Sequence, residues 1–200
     1  MKRLLLGILL VLMLSGCASG RDGMKEALAL RQKMDAGCTF EAEITAEYET
    51  GTQTFVLSCQ ADKQGGVTFC VVSPELISGI TGRVDADGAR LVFDDEVLCF
   101  EPLADGMLSP ASAPWVLVHT LRCGYITSCG EEDKELLLSV DDSYENDALH
   151  LNIRLDGDNA PSKAEIIWNQ RRILSMEVRA FQFLSLSDGS GIGYFGAAAV

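Results

Sequence analysis

The chain is short of what an enzyme or a nucleic-acid binder needs. Of its 200 residues only two are histidine, and 16 Lys and Arg stand against 29 Asp and Glu, for a formal net charge of −13. So acidic a balance offers no basic face for phosphates and excludes nucleic acid as a partner. Two histidines are too few for a His-based metal centre with ligands to spare. No apolar run approaches the roughly 20 residues that a membrane-spanning helix requires. There is no G-x-S-x-G elbow, no P-loop and no G-x-G-x-x-G after a strand, and Gly189-Ser190-Gly191 matches nothing catalytic. Without a convergent nucleophile, base and oxyanion donor, no enzymatic activity, metal or cofactor is expected. What is there is ordinary for one globular domain: 48% hydrophobic and 22% charged residues.

The N-terminus carries an address. Lys2 and Arg3 precede an apolar run, Leu4–Leu14, and then Leu14-Ser15-Gly16-Cys17. A charged start, a short apolar stretch and small residues before the cut are the parts of a secretory signal. Leu-Ser-Gly-Cys resembles the lipobox of bacterial lipoproteins, in which the cysteine takes a diacylglyceryl group. The expected division is a signal peptide over 1–16, a lipidated tether over 17–23, one domain over 24–184 and a flexible tail over 185–200. Cleavage removes Lys2 and Arg3 and leaves 184 residues at −15. The protein is thus expected on a bacterial cell membrane, anchored through Cys17 at the extracytoplasmic face, its acidic body held off anionic lipid.

Six further cysteines remain: Cys38, Cys59, Cys70, Cys99, Cys123 and Cys129. An even number outside the cytoplasm permits disulfides, and sequence does not choose the pairing. Cys59 and Cys70 lie in apolar strand-like runs, which reads as small buried residues. The spacing from Cys123 to Cys129 is neither a redox nor a zinc pattern.

Met24–Ala36 is rich in helix formers, with Gly37 as a stop. Phe40–Glu49 then alternates apolar and polar without a break, the pattern of a sheet with one dry face. Thr50-Gly51 is expected to turn the chain with Phe55 opposite Ala46 and Leu57 opposite Ile44. After Gly65-Gly66, either Val71 or Cys70 faces Cys59, depending on loop length; the second would allow a bridge. Ser73-Pro74 breaks the pattern and begins one helical turn, with Ser73 as N-cap. Asp87-Gly88 marks a hairpin that sets Val84 opposite Leu91. Ser109–Pro114 opens a second helix through Cys123, with Ser112 as N-cap. Two more hairpins follow: Glu135–Val140 with Ala148–Leu155, Val140 meeting Leu149, and Ala164–Trp168 turning at Asn169-Gln170 into Ile173–Phe183. The elements read as α+β: a mostly antiparallel sheet of eight or more strands, with an N-terminal helix and a helical insert, that must curl strongly or close to bury one face.

Polar clusters read as surface. Glu131-Glu132-Asp133 and Asp141-Asp142 fall on loops, and Asp156-Gly157-Asp158-Asn159 lacks the downstream Glu of a calcium loop. His119 lies in the second helix and His150 points outward on a strand, neither with a partner arranged for nucleophilic work. The apolar face is the site that remains. Phe40, Ile44, Tyr48, Phe55, Leu57, Leu91 and Phe93 line the concave side, with Trp115, Val118 and Leu121 of the insert over it. Alternation alone does not separate a packed core from a cavity.

The order of helix, Phe40-x-Ala42-x-Ile44 strand, Val71–Pro74 break, Asp87-Gly88 hairpin with Leu91–Asp94, helical insert and closing Ile166-x-Trp168 strand resembles the LolA/LolB family of lipoprotein carriers. That resemblance implies an unclosed barrel whose apolar concavity takes acyl chains or a lipoprotein. The lipobox departs from the soluble carrier, and the cysteines and the insert depart from both. Pro74–Ile80 and the cysteine-bearing strands look more like the GerS-like germination lipoproteins of clostridia. That likeness implies a different partner, a cell-wall enzyme that the domain docks and regulates.

Overall fold

The computed structural model describes residues 23–48, 51–93, 96–100, 103–104, 107–133, 135–145 and 147–185. The signal peptide, Cys17 and the tail beyond 185 lie outside them.

Helix α1 (Gly23–Met34) buries Ala27, Leu30 and Met34, a single stripe at helical spacing. Gly37 at φ +90 ends the run and turns the chain into β1. Strands β1 (Cys38–Tyr48), β2 (Gly51–Ala61) and β3 (Val67–Ser73) form a meander. A 3-10 turn, Glu75–Ile77, separates them from β4 (Thr81–Asp85), β5 (Gly88–Phe93) and β6 (Glu96–Phe100). A two-residue pair, β7 (Leu103–Ala104) with β8 (Met107–Leu108), leads through the turn Pro110–Ser112 into α2 (Ala113–Cys123). Five strands close the chain: β9 (Tyr125–Glu132), β10 (Glu135–Asp141), β11 (His150–Leu155), β12 (Pro161–Trp168) and β13 (Arg171–Phe183).

Eleven of these strands form one antiparallel sheet in the order β6-β5-β4-β3-β2-β1-β13-β12-β11-β10-β9. Two meanders are joined where the last strand returns to pair with the first. The outer strands β6 and β9 are not paired with each other, so the barrel is unclosed, as the family resemblance implied. Strands β10 and β11 alternate buried and half-buried residues throughout, and β1 does so until its last two.

The expected hairpins form, with slipped registers. Ile44 faces Phe55 and Ala42 faces Leu57, because Tyr48 pairs with Gly51. Val84 faces Ala89, because Asp85 pairs with Gly88. In both hairpins the glycine is the first residue of the returning strand, at φ +136 and +134, rather than inside the turn. Val140 meets Leu151, because Asp142 closes the loop: its N–H donates to Leu149 O and its Oδ1 accepts from Leu149 N at 2.8 Å. Each slip moves pairing by two positions and so keeps the faces.

Other expectations are corrected. Cys59 faces Phe69, and Cys70 lies on the opposite face, so these two form no bridge. The cause is a five-residue loop held by Asp62 Oδ1, which accepts from Gln64 N and Gly66 N. Pro74, not Ser73, caps the 3-10 turn, and Ser112 occupies the N-cap position of α2 without a side-chain cap bond. Strands β6 and β9 were not foreseen. The first is apolar on both faces, and the second is broken by glycine and serine.

Helix α2 explains where the core sits. Ala113, Pro114, Val116, Leu117, Val118 and Leu121 are all buried. A helix apolar on nearly every side belongs inside. It lies against β2, β3 and β10, filling the concavity of the sheet. Each such leucine or valine, fully buried, contributes about 1.5–3 kcal/mol.

Candidate functional site: the concave face

Register converts the alternating side chains into continuous rows across the sheet. One row runs Cys129, Leu138, Ile153, Ala164, Met176, Ile44, Phe55, and the next runs Ile126, Val140, Leu151, Ile166, Leu174, Ala46. Seven strands thus present apolar side chains to one side. Phe40, Cys59, Phe69, Gly82, Leu91 and Leu98 form a further row toward β6.

The sequence-derived lining residues fall on this face but not in one environment. Phe40, Ile44 and Leu57 are at most 3% exposed and belong to the packed core around α2. Phe55, Leu91 and Trp115 are half-buried, the last two packed against that core. Tyr48 is 43% exposed and Phe93 54% exposed. The sequence reading missed Leu98, which faces Leu91 across the β5–β6 pair and is 62% exposed, and Phe100, which packs on the core. The only signal for β6 was an apolar run without alternation. The concave face therefore grades from a dry, helix-filled floor to an open apolar rim.

Polar groups on the floor are few. Ser112 Oγ, at the N-cap position of α2, and Thr120 Oγ1, on α2, are fully buried without a hydrogen-bond partner. Two arginines clamp the helices in place. Arg31 of α1 donates to Leu121 O at 2.9 Å and to Gly124 O at 2.7 Å, satisfying carbonyls at the end of α2. Arg122 of α2 donates to Asp62 O and Lys63 O in the β2–β3 loop, and stands 3.7 Å from Asp35.

The convex face is polar. Arg172 bridges Glu47 and Glu165, Arg179 bridges Glu43 and Glu177, and Arg154 bridges Glu132 and Glu135. An open depression of about 420 Å³ lies over β9, β10 and β11, lined mainly by polar residues such as Ser128, Ser139, Asn152, Arg154, Lys163 and Glu165. His150 has an acidic partner, though not one arranged for nucleophilic work. Its Nδ1 lies 2.6 Å from Asp141 Oδ1, which pairing of β10 with β11 places directly opposite. Its Nε2 faces Asn152 Oδ1 at 3.2 Å, so neither nitrogen is aimed at a hydroxyl. Asp156 Oδ1 accepts from Asp158 N and Ala160 N, which makes that acidic run a turn.

The six described cysteines are free thiols. Burial pushes the Cys38 thiol up to about 12 and raises that of Cys59 well above its ordinary value. Burial also raises Cys129 and the Asp142 carboxyl, the latter against a backbone hydrogen bond from Leu149. Among the described residues no group of His, Cys, Asp and Glu could hold a metal, and no helix is long and apolar enough to cross a membrane.

With this geometry in view, the comparisons with known proteins are informative at one end of the chain. Residues 1–18 match the profile of the prokaryotic membrane lipoprotein lipid attachment site. The chain is a membrane-anchored lipoprotein. No curated protein matches it by sequence. Among solved structures it is similar to a LolA superfamily protein from Nitrosomonas europaea, at 9% identity over 81% of this chain and 95% of that one, with a TM-score of 0.43. It is also similar to lipoprotein LppX of Mycobacterium tuberculosis, at 10% identity over 78% and 90%, TM-score 0.38. LprF of Mycobacterium bovis shows 8% identity over 84% and 98%, TM-score 0.40. These are likenesses of outline, and the fold rests on the strand order and registers above.

Proposed function

We propose that this is an extracytoplasmic lipoprotein, without catalytic activity, whose half-barrel holds acyl chains at its concave face. The carrying observation is the exposure gradient along one face. Tyr48, Phe93 and Leu98 stay open to solvent on the same side of the sheet whose floor is sealed. An apolar ligand would cover them, and each fully buried large side chain would gain about 1.5–3 kcal/mol. The lipid attachment site supports the setting, since it places the domain beside a source of acyl chains.

Native mass spectrometry of the unlipidated domain tests this. Co-purified lipid that is lost in Leu98→Asp supports it. A lipid-free domain that also fails to take up added fatty acid overturns it. A second reading is docking and regulation of a cell-wall enzyme, with the packed floor serving only as a core. It predicts a dry core and a specific protein partner in the same preparation.

A further inference from the structure

We propose that α1 lies on the bilayer, with its outward face forming the membrane-contact surface of the protein. The inference rests on the anchor at Cys17 and not on the acyl-chain reading. Five residues, 18–22, separate the anchored cysteine from Gly23. Six Cα steps reach at most about 20 Å. The far end of that reach is fixed: a Cβ on Gly23 would fall 2.9 Å from Leu136 Cδ1 and 3.2 Å from Cys129 Cβ, so the start of α1 is seated directly on β9 and β10. The helix itself is only about 18 Å long. The start of α1 is therefore held within about 20 Å of the inserted anchor.

The face it turns outward suits that place. Ala27, Leu30 and Met34 point into the core, and the opposite arc carries Met24 at 44% exposure, Leu28 at 48%, and the exposed Lys25 and Lys33. Met24 and Leu28 are one turn apart and neighbours on the surface. The helix holds three cations, Lys25, Arg31 and Lys33, against one acid, Glu26, in a chain of net charge −13. Lys33 also stands over the Phe183 ring at 5.4 Å, which orients its stem without burying it. Two exposed apolar side chains on one flank of this arc, with Lys25 at its middle and Lys33 on the other flank, match an anionic lipid surface, with the apolar pair at the acyl boundary and the ammoniums at phosphate level. The acidic body then faces away from the membrane.

The lipidated protein in vesicles of phosphatidylcholine and phosphatidylglycerol, doped with a photoactivatable diazirine phospholipid, provides the test. Adducts are expected in the peptide that contains Met24 and Leu28. Lys25→Glu with Lys33→Glu should cut their yield about fivefold or more, as should phosphatidylcholine alone. Leu28→Ser should lower the yield with no change in lipid-charge dependence, and guards against misfolding of the double variant. Adducts confined to the tether or to Phe93–Leu98, yields indifferent to lipid charge, or protein cross-links from α1 in place of lipid adducts each overturn the proposal. Failure of acyl-chain binding would be read by mass spectrometry and would leave these adducts in place.

Discussion

The ring of Phe69 occupies the space that a side chain at position 82 would need. A Cβ built on Gly82 would fall 2.5 Å from Phe69 Cζ, with Arg90 O and Leu91 Cδ2 also within 3 Å. Phe69 is fully buried, and Gly82 lies directly opposite it on β4. The missing side chain thus leaves the space over position 82 to the Phe69 ring. Gly82→Ala should destabilise by about 1–3 kcal/mol through overpacking. In Phe69→Leu, itself destabilised by the cavity, the added penalty of Gly82→Ala should shrink. Urea midpoints of the four proteins measure that coupling.

Arg31 holds the two helices together through two backbone carbonyls. Arg31→Ala should cost about 1.5–3 kcal/mol for hydrogen bonds from a charged donor, and Arg31→Lys should recover only part, because lysine lacks the planar fork. Thermal melts compare them. An Arg31→Ala protein as stable as the parent would show that the clamp is idle.

Leu57, 2% exposed, is on the floor of the concavity, and Ser58 is on the convex side. Leu57→Asp should unfold the domain or cost several kcal/mol, because the carboxylate has neither partner nor water. Ser58→Asp should cost no more than about 0.2–1 kcal/mol, the penalty of standing opposite Glu41. Circular dichroism of the two variants reads the outcome directly. The reverse order would mean that the faces had been misassigned.

The thiols should fall into two classes. Cys99 and Cys123 are exposed and should alkylate in the native protein, whereas the buried Cys38 and Cys59 should react only on unfolding. Mass spectrometry after brief native alkylation distinguishes them.

The same burial gives a pH dependence of known sign. An unfolded thiol ionises near pH 8.5, while folded Cys38 keeps its proton to about 12. Its contribution is complete below about pH 8.5 and is lost as pH rises toward 12, at up to about 1.4 kcal/mol per pH unit. Urea midpoints should fall between pH 8 and pH 10.5, and less steeply in Cys38→Ala.

Much of this was legible in the linear chain because it depends on neighbours. The lipobox is a contiguous string read by processing enzymes before folding. The dry face of β1 follows from strict alternation, Phe40 to Ala46, and the helices from their helix-forming residues and the breaks that bound them. Even the slipped hairpins kept their faces, since an error of two positions is invisible to a period of two.

What lay outside its reach depends on long-range placement. Glycine at positions 51 and 88 announces a turn, but whether it sits inside the turn or begins the next strand is decided by a φ near +135 that tertiary pairing selects. Strand β6 carries apolar residues on both faces, so only pairing with β5 shows that Leu98 faces inward. His150 and Asp141 meet because β11 returns along β10. Chain-local physics determined the anchor, the elements and their faces. Which part of the apolar face became a sealed floor, and which an open rim, was decided by where α2 came to rest, because burial is a property of what lands on a surface and not of the residues that compose it.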